Sequence, residues 1–292
     1  MRGYFDLPDA TASDIAGQLA AKRTRLRRRM SEVRHTVAIM SGKGGVGKSV
    51  ITASLAAVLA SEGLAVGVVD ADIEGPSMAR LLGVPAGHLR LVGDAVEPGI
   101  GVAGVKVMSM DLLLNGDESP VEWSGPERER FLWRSTLEAN AVREFLADTE
   151  WGRLDYLLLD LPPGTGSITA AHDLLPGLGG AIAVTLPTRL SRFVVAKSLT
   201  LARRLGLPLI GYVENMTGYA CPGCGQVGPL FDAGEGEFAG VPRLVGLPFD
   251  PVFGRQTDAG RPDVLERPHD AAARAVRELA ARVRTFFEGD EA

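Results

Sequence analysis

The sequence predicts an α/β domain, a mostly parallel sheet with helices on both faces, and three observations carry that prediction. Apolar, β-branched runs of strand length alternate with helical stretches along the 292 residues, the pattern of strands buried on both faces. The first such run leads into Gly42-Lys43-Gly44-Gly45-Val46-Gly47-Lys48-Ser49, which meets G-x-x-x-x-G-K-[ST] in full and reads as a phosphate-binding loop. Two later runs end in aspartates, Asp70 and Asp160, at the carboxyl ends of strands, where sheets of this class bind their ligands.

Taken in order, residues 1–34 read as a helical, basic N-terminal appendage and 35–292 as the P-loop domain. Composition predicts a helix over 13–30, closing on Lys22-Arg23-Thr24-Arg25-Leu26-Arg27-Arg28-Arg29. A solvated helix face is the plain reading of that run; contact with an acidic partner, nucleic acid or an anionic membrane is the other. The first strand is 35–40, and helical spacing resumes at 50–60, so phosphates would sit at a helix N-terminus. Strands follow at 64–70, more weakly at 104–110, then at 154–160, 181–185 and 209–213, the last ending near Glu214. Helices are expected over 127–146 and 191–205, and a final one over about 269–288.

Whole-chain properties narrow the function classes. Hydrophobic residues are 46% and charged residues 23%, an ordinary globular balance. A net charge of −5 argues against nucleic acid as the main partner. No apolar run reaches about 18 residues, and Met1-Arg2-Gly3-Tyr4-Phe5-Asp6 lacks a signal peptide's apolar core. The expectation is a cytoplasmic protein without stable membrane insertion. The last helix mixes Arg274, Arg277, Arg282 and Arg284 with Val276, Leu279, Val283 and Phe286. Packing on the domain is favoured there over an amphipathic membrane helix. The four histidines lie scattered, without ligand spacing.

Each part of the loop has a chemical reason. Its glycines let backbone N–H groups close around phosphate oxygens. Lys48 neutralises the β/γ-phosphates, and the Ser49 hydroxyl binds Mg²⁺. Gly42 to Val50 are thus the expected nucleoside-triphosphate-binding residues. Asp160, ending an apolar strand, reads as the Walker-B ligand that holds Mg²⁺ directly or through water. Gly164 and Gly166 then free the following loop to respond to a γ-phosphate. In Asp70-Ala71-Asp72, one carboxylate is placed near the metal and the other, Asp72, positions the attacking water.

Lys43 is surplus to a single site, which hints at a second subunit. Cys221-Pro222-Gly223-Cys224 falls in the turn-rich stretch 217–229. The pair presents two thiolates to one metal centre, and two thiolates are half a site. A homodimer would bring two pairs together on its axis. A thioredoxin-type redox pair, a zinc staple shared across a dimer and an inert pair remain open on spacing alone.

These pieces resemble the deviant Walker A ATPases, whose K-G-G-x-G-K-[ST] signature is matched by Lys43 to Ser49. Within that superfamily the chain is similar to the Mrp/ApbC iron–sulfur carriers. The segments that carry this resemblance are Asp70-Ala71-Asp72-Ile73-Glu74-Gly75-Pro76-Ser77, the run from Trp151 to Gly166, and Glu214-Asn215-Met216 leading into the cysteines. It spans about 36–262. It implies that Lys43 reaches across a dimer to the partner's nucleotide. It also implies that Asn215 bonds the purine edge, with Pro248 and Phe249, in a turn over 247–250, packing on the base. The implied function is a slowly hydrolysing ATPase that builds a [4Fe–4S] cluster between two subunits and passes it to apo-proteins. The alternatives are a MinD/ParA-like spatial organiser and a regulatory ATPase with a zinc-stapled dimer. Two positions depart from the pattern: Ser167 stands where an aspartate is usual, and Trp123-Ser124-Gly125-Pro126 lacks its usual arginine.

Overall fold

A computed structural model describes residues 9–85, 89–93, 95–114, 127–175, 177–231 and 238–289; the 123–126 segment lies outside them. The chain opens with helix α1 (Asp9–Met30), then strand β1 (Val33–Ser41), α2 (Lys48–Ser61), β2 (Val66–Asp70) and the short α3 (Met78–Leu81). Small strands β3 (Leu91–Val92), β4 (Ala95–Val96), β5 (Gly99–Ile100) and β6 (Lys106–Met108) precede α4 (Glu127–Asp148). The second half runs β7 (Leu154–Asp160), α5 (Gly166–Leu174), β8 (Gly180–Thr185), α6 (Arg189–Arg204), β9 (Leu209–Ala220) and β10 (Val227–Pro229). It closes with β11 (Arg243–Phe249), α7 (Pro251–Asp258), α8 (Asp263–Glu266) and α9 (Ala271–Gly289).

The main sheet has the order β10-β9-β8-β1-β7-β2-β6-β5, with β11 also paired to β9. Its inner pairings are parallel, and only the outer β5 and β10 run antiparallel to their neighbours. Side chains alternate across the pleat, so each central strand feeds two cores. In β1, Val37 and Ile39 join α2 and α9 on one face, while Ala38 and Met40 join α4, α5 and α6 on the other. In β7, Leu158 faces the first core, Leu157 and Leu159 the second. This is why the strands read as continuous apolar runs. It also places β1, with its loop, between β7 and β8.

Several expectations are met and several are revised. α9 buries Ala272, Val276, Leu279, Val283 and Phe287 against the domain, so its apolar face is spent on packing. Among the described residues no helix is long and apolar enough to cross a membrane. The basic run of α1 finds its acidic partners within the chain: Lys22–Glu144 at 2.7 Å, Arg25–Asp148 at 2.8 Å and Arg29–Glu150 at 2.6 Å. Their spacing sets one stripe of α1 on α4 and on Glu150 just beyond it, while Arg23, Arg27 and Arg28 stay exposed.

Two corrections concern the far side of the sheet. β9 does not end near Glu214 but continues to Ala220, because β11 and β10 go on supplying partners beyond the last β8 pairing, Thr185 with Glu214. Residues 247–249 are not a turn but the end of β11, parallel to β9. Pro248 is tolerated there because an outer strand need not donate on both sides.

Candidate nucleotide and metal site

β1 delivers the chain to Ser41 at the carboxyl edge, and the loop from Gly42 to Gly47 turns into α2. Gly45 and Gly47 take φ of +75° and +83°, a region glycine enters without penalty. Gly47 is needed twice over, since a Cβ there would lie 2.3 Å from Asn215 Nδ2. A Cβ on Gly42 would lie 2.8 Å from Val194 Cγ1 and 2.9 Å from the Val195 nitrogen, so Gly42 lets α6 pack on the loop's start. The first turn of α2 then aims its N–H groups at the place where phosphates would bind.

Asp160 is the hub beneath the loop. Its side chain has no accessible surface. Its Oδ2 accepts from Lys48 Nζ at 2.6 Å and from Ser49 Oγ at 2.7 Å. Its Oδ1 accepts from Thr52 Oγ1 at 2.7 Å. Ser49 and Asp160 thus bring two hard oxygen donors to one point, the donor chemistry that Mg²⁺ takes. Thr52 is a residue the sequence reading passed over. Its signal was present, because a hydroxyl four residues after Lys48 lies one helical turn along the same face.

Asp70 and Asp160 are cross-strand partners in the β2–β7 register. Asp70 is fully buried, and burial first, then the Asp160 charge, push its carboxyl up to about 7. Four donors hold it: Ser77 N–H at 2.8 Å, Met78 N–H at 3.0 Å and Ser109 Oγ at 3.0 Å on Oδ2, and Asp72 N–H at 3.2 Å on Oδ1. Asp70 therefore folds the 71–78 loop inward. Asp72 rides on that loop half-buried, its Oδ1 accepting from Gly75 N–H at 3.3 Å.

The loop after Asp160 is tied back to β1, with the Gly164 N–H donating to the Ser41 carbonyl at 2.9 Å. Gly164 takes φ +102°. Ser167 bonds the Gly164 carbonyl through its hydroxyl at 2.8 Å, so this serine braces its own turn. Lys43 is half-buried, and its ammonium makes no ion pair among the described residues.

Asn215 lies against the phosphate loop. Its Nδ2 donates to the Val46 carbonyl at 2.8 Å, and its Oδ1 accepts from the Met216 N–H at 2.9 Å. Phe249, partly exposed, stands with its ring centroid 6.4 Å from that of Tyr219, and the half-buried Pro248 precedes it.

Cys221 and Cys224 occupy the tip of the β9–β10 hairpin. The Cys221 N–H donates to the Gln226 carbonyl at 2.9 Å, and the Gly225 N–H to the Cys221 carbonyl at 2.8 Å. Both thiols are free, Cys221 half-buried and Cys224 exposed. Backbone N–H groups of Cys224, then Gly223, and the Cys224 thiol lower the Cys221 pKa, favouring the thiolate that ligates metals. A strand, not a helix, follows the pair, unlike a thioredoxin-type arrangement. Apolar side chains stand exposed around the hairpin: Tyr219, Val227, Leu230, Phe231 and Phe249.

The structure thus brings Gly42 to Val50, Asp72, Asp160 and Asn215 to one edge, with the cysteines on the hairpin that continues from Asn215. The family model ParA, described as a NUBPL iron-transfer P-loop NTPase, matches residues 32–284. An iron-sulfur cluster carrier protein of Saccharolobus solfataricus is 36% identical, over 94% of this chain and 91% of its own. A nucleotide-binding protein of Archaeoglobus fulgidus, solved with ADP, is 35% identical with a TM-score of 0.68, covering 85% of this chain and 94% of that one. The septum site-determining protein MinD of Pyrococcus horikoshii, solved with Mg-ADP, is 26% identical with a TM-score of 0.62, over 89% and 99% of the two chains.

Proposed function

The chain belongs to the ParA/NUBPL iron-transfer P-loop NTPase family, and from that premise we propose that it is an ATP-dependent carrier of iron–sulfur clusters. In this reading it binds and slowly hydrolyses ATP, assembles a [4Fe–4S] cluster between two copies of itself, and passes the cluster to apo-proteins. The observation that carries the reading is the placement of two free thiols at the tip of an exposed hairpin whose strand also lies against the phosphate loop. A spatial organiser would need neither thiol there.

The residues divide the work. Lys48 is paired with Asp160 at 2.6 Å, and ATP phosphates would draw its ammonium away from that carboxylate. Gly42 to Val50 cradle the phosphates. Ser49 and Asp160 would hold Mg²⁺, which supplies positive charge beside the transferring phosphoryl group. Asp72 orients water for in-line attack, and its loop is held in place through Asp70. Lys43, without an ion pair among the described residues, reaches the nucleotide of a second copy. Asn215, Pro248 and Phe249 bound the base. Each copy offers two thiolates of the four that a [4Fe–4S] cluster needs, so the cargo itself calls for a dimer. The exposed apolar side chains around the hairpin support such an interface. Residues 1–34 act as an appendage to the ATPase domain of 35–292, with α1 packed on α4.

Anaerobic reconstitution tests this. Iron, sulfide and zinc are quantified in wild type and Cys221→Ala after incubation with all three. The proposal expects iron and sulfide in wild type and their loss in the variant. Zinc alone in wild type, or full iron uptake by the variant, overturns it.

A further inference from the structure

We propose that Asn215 is a positioning residue for the cysteine pair, the point through which nucleotide occupancy is passed along β9 to Cys221 and Cys224. This deepens the reading of the preceding section and rests on it for the identity of the two sites. The geometry comes from one strand. Among the described residues β9 pairs with β8 as far as Glu214, and beyond it with β11 and β10.

In that stretch β9 is bulged against β11. Asn215 pairs with Leu247 and Tyr219 with Phe249, so four steps on β9 answer two on β11. A bulge of this kind re-aims the strand that follows it. Within it, Met216 takes φ +57°, a left-handed conformation unfavourable for a side chain of this type. Backbone outliers persist where their surroundings over-determine them. Here the restraint is Asn215, whose Oδ1 accepts the Met216 N–H while its Nδ2 grips the Val46 carbonyl of the phosphate loop. One side chain therefore fixes the kink and senses the loop.

A ligand shifts an equilibrium only through unequal contacts with its two states. The phosphate loop can supply such contacts, because bound phosphates would accept from the N–H groups around Val46 and Gly47. A nucleotide that moves the Val46 carbonyl, or takes the Asn215 amide for its base, loosens the restraint on Met216. The hairpin tip, six residues beyond Asn215, then changes its aim. A second contact runs the same way, since Phe249 beside the base position touches Tyr219, two residues before Cys221.

The test reads the thiols directly on cluster-free, reduced protein, and so does not depend on iron uptake. The rate at which a chromogenic disulfide reagent labels the cysteines is measured with and without saturating Mg-ADP. Wild type is expected to show a change of about fivefold or more, the low end of ordinary coupling between sites. Met216→Gly is expected to bring that ratio close to one with the affinity for a fluorescent ADP unchanged, because glycine keeps the left-handed conformation without Asn215's help. Asn215→Ala should also flatten the ratio at saturating nucleotide. No nucleotide effect on wild type, or an effect that survives in Met216→Gly, overturns the proposal; should Asn215→Ala fail to fold, the glycine variant decides alone. Failure of iron uptake with a normal thiol response would instead overturn only the carrier reading.

Discussion

Replacing Thr52 by valine probes the most buried part of the site. Among the described residues, the Asp160 carboxylate has two donors on Oδ2 and the Thr52 hydroxyl on Oδ1. Thr52 is itself fully buried, and valine nearly matches its volume, so no cavity opens. What is lost is one hydrogen bond to a charged acceptor, about 1.5–3 kcal/mol. For a domain of this size each kcal/mol moves the melting temperature by about 2–4 °C, so Thr52→Val should melt roughly 3–12 °C lower. The same hydroxyl holds the carboxylate with Oδ2 toward Ser49. Losing it should weaken the Mg²⁺-dependent gain in nucleotide affinity by about tenfold to a hundredfold, given tenfold per 1.4 kcal/mol. Thr52→Ser should restore both. Calorimetry and fluorescent-nucleotide titration at varied Mg²⁺ read the two effects. A Thr52→Val protein within about 0.5 kcal/mol of wild type, with normal Mg²⁺ dependence, would refute the account of Asp160 as a fully restrained ligand.

Two lysines in one loop should behave oppositely. Lys48 is buried against Asp160, so Lys48→Ala leaves a buried charge uncompensated and should cost about 3–5 kcal/mol before any nucleotide is added; denaturant unfolding of the nucleotide-free protein decides, and unchanged stability contradicts the pairing. It should also abolish ATP hydrolysis and cluster delivery. Lys43, half-buried and without an ion pair among the described residues, should be replaceable by alanine within about 0.5 kcal/mol. Sedimentation of Lys43→Ala with ATP should nevertheless lose the dimer, and a normal dimer with normal hydrolysis would remove Lys43 from the partner's site.

What the sequence disclosed follows from how local each signal is. The phosphate loop, its strand and its helix are contiguous, so residues 35–60 state their own geometry. Asp160 was legible because a carboxylate directly after the apolar run Tyr156 to Leu159 has few structural reasons to be there. Asp70 and Asp72 were harder: spacing shows two acids, and only the register against Asp160 and the backbone donors of Ser77 and Met78 show which turns inward. The far edge was illegible for a different reason. Asn215 to Ala220 has no alternating pattern, because that part of β9 lies beyond β8 and its partners come from later in the chain. Gly246 and Pro248 likewise disguise β11. The acidic partners of α1 could not be read at all, since Glu144, Asp148 and Glu150 lie more than a hundred residues away.

The central claim is that two copies of this chain share one cluster through Cys221 and Cys224. Native mass spectrometry of the anaerobically reconstituted protein tests it most directly. The account predicts a dimer carrying four iron and four sulfide, about one cluster per two chains, and its disappearance in Cys221→Ala. A cluster held by a single chain, or a reconstituted dimer that carries only zinc, would contradict it.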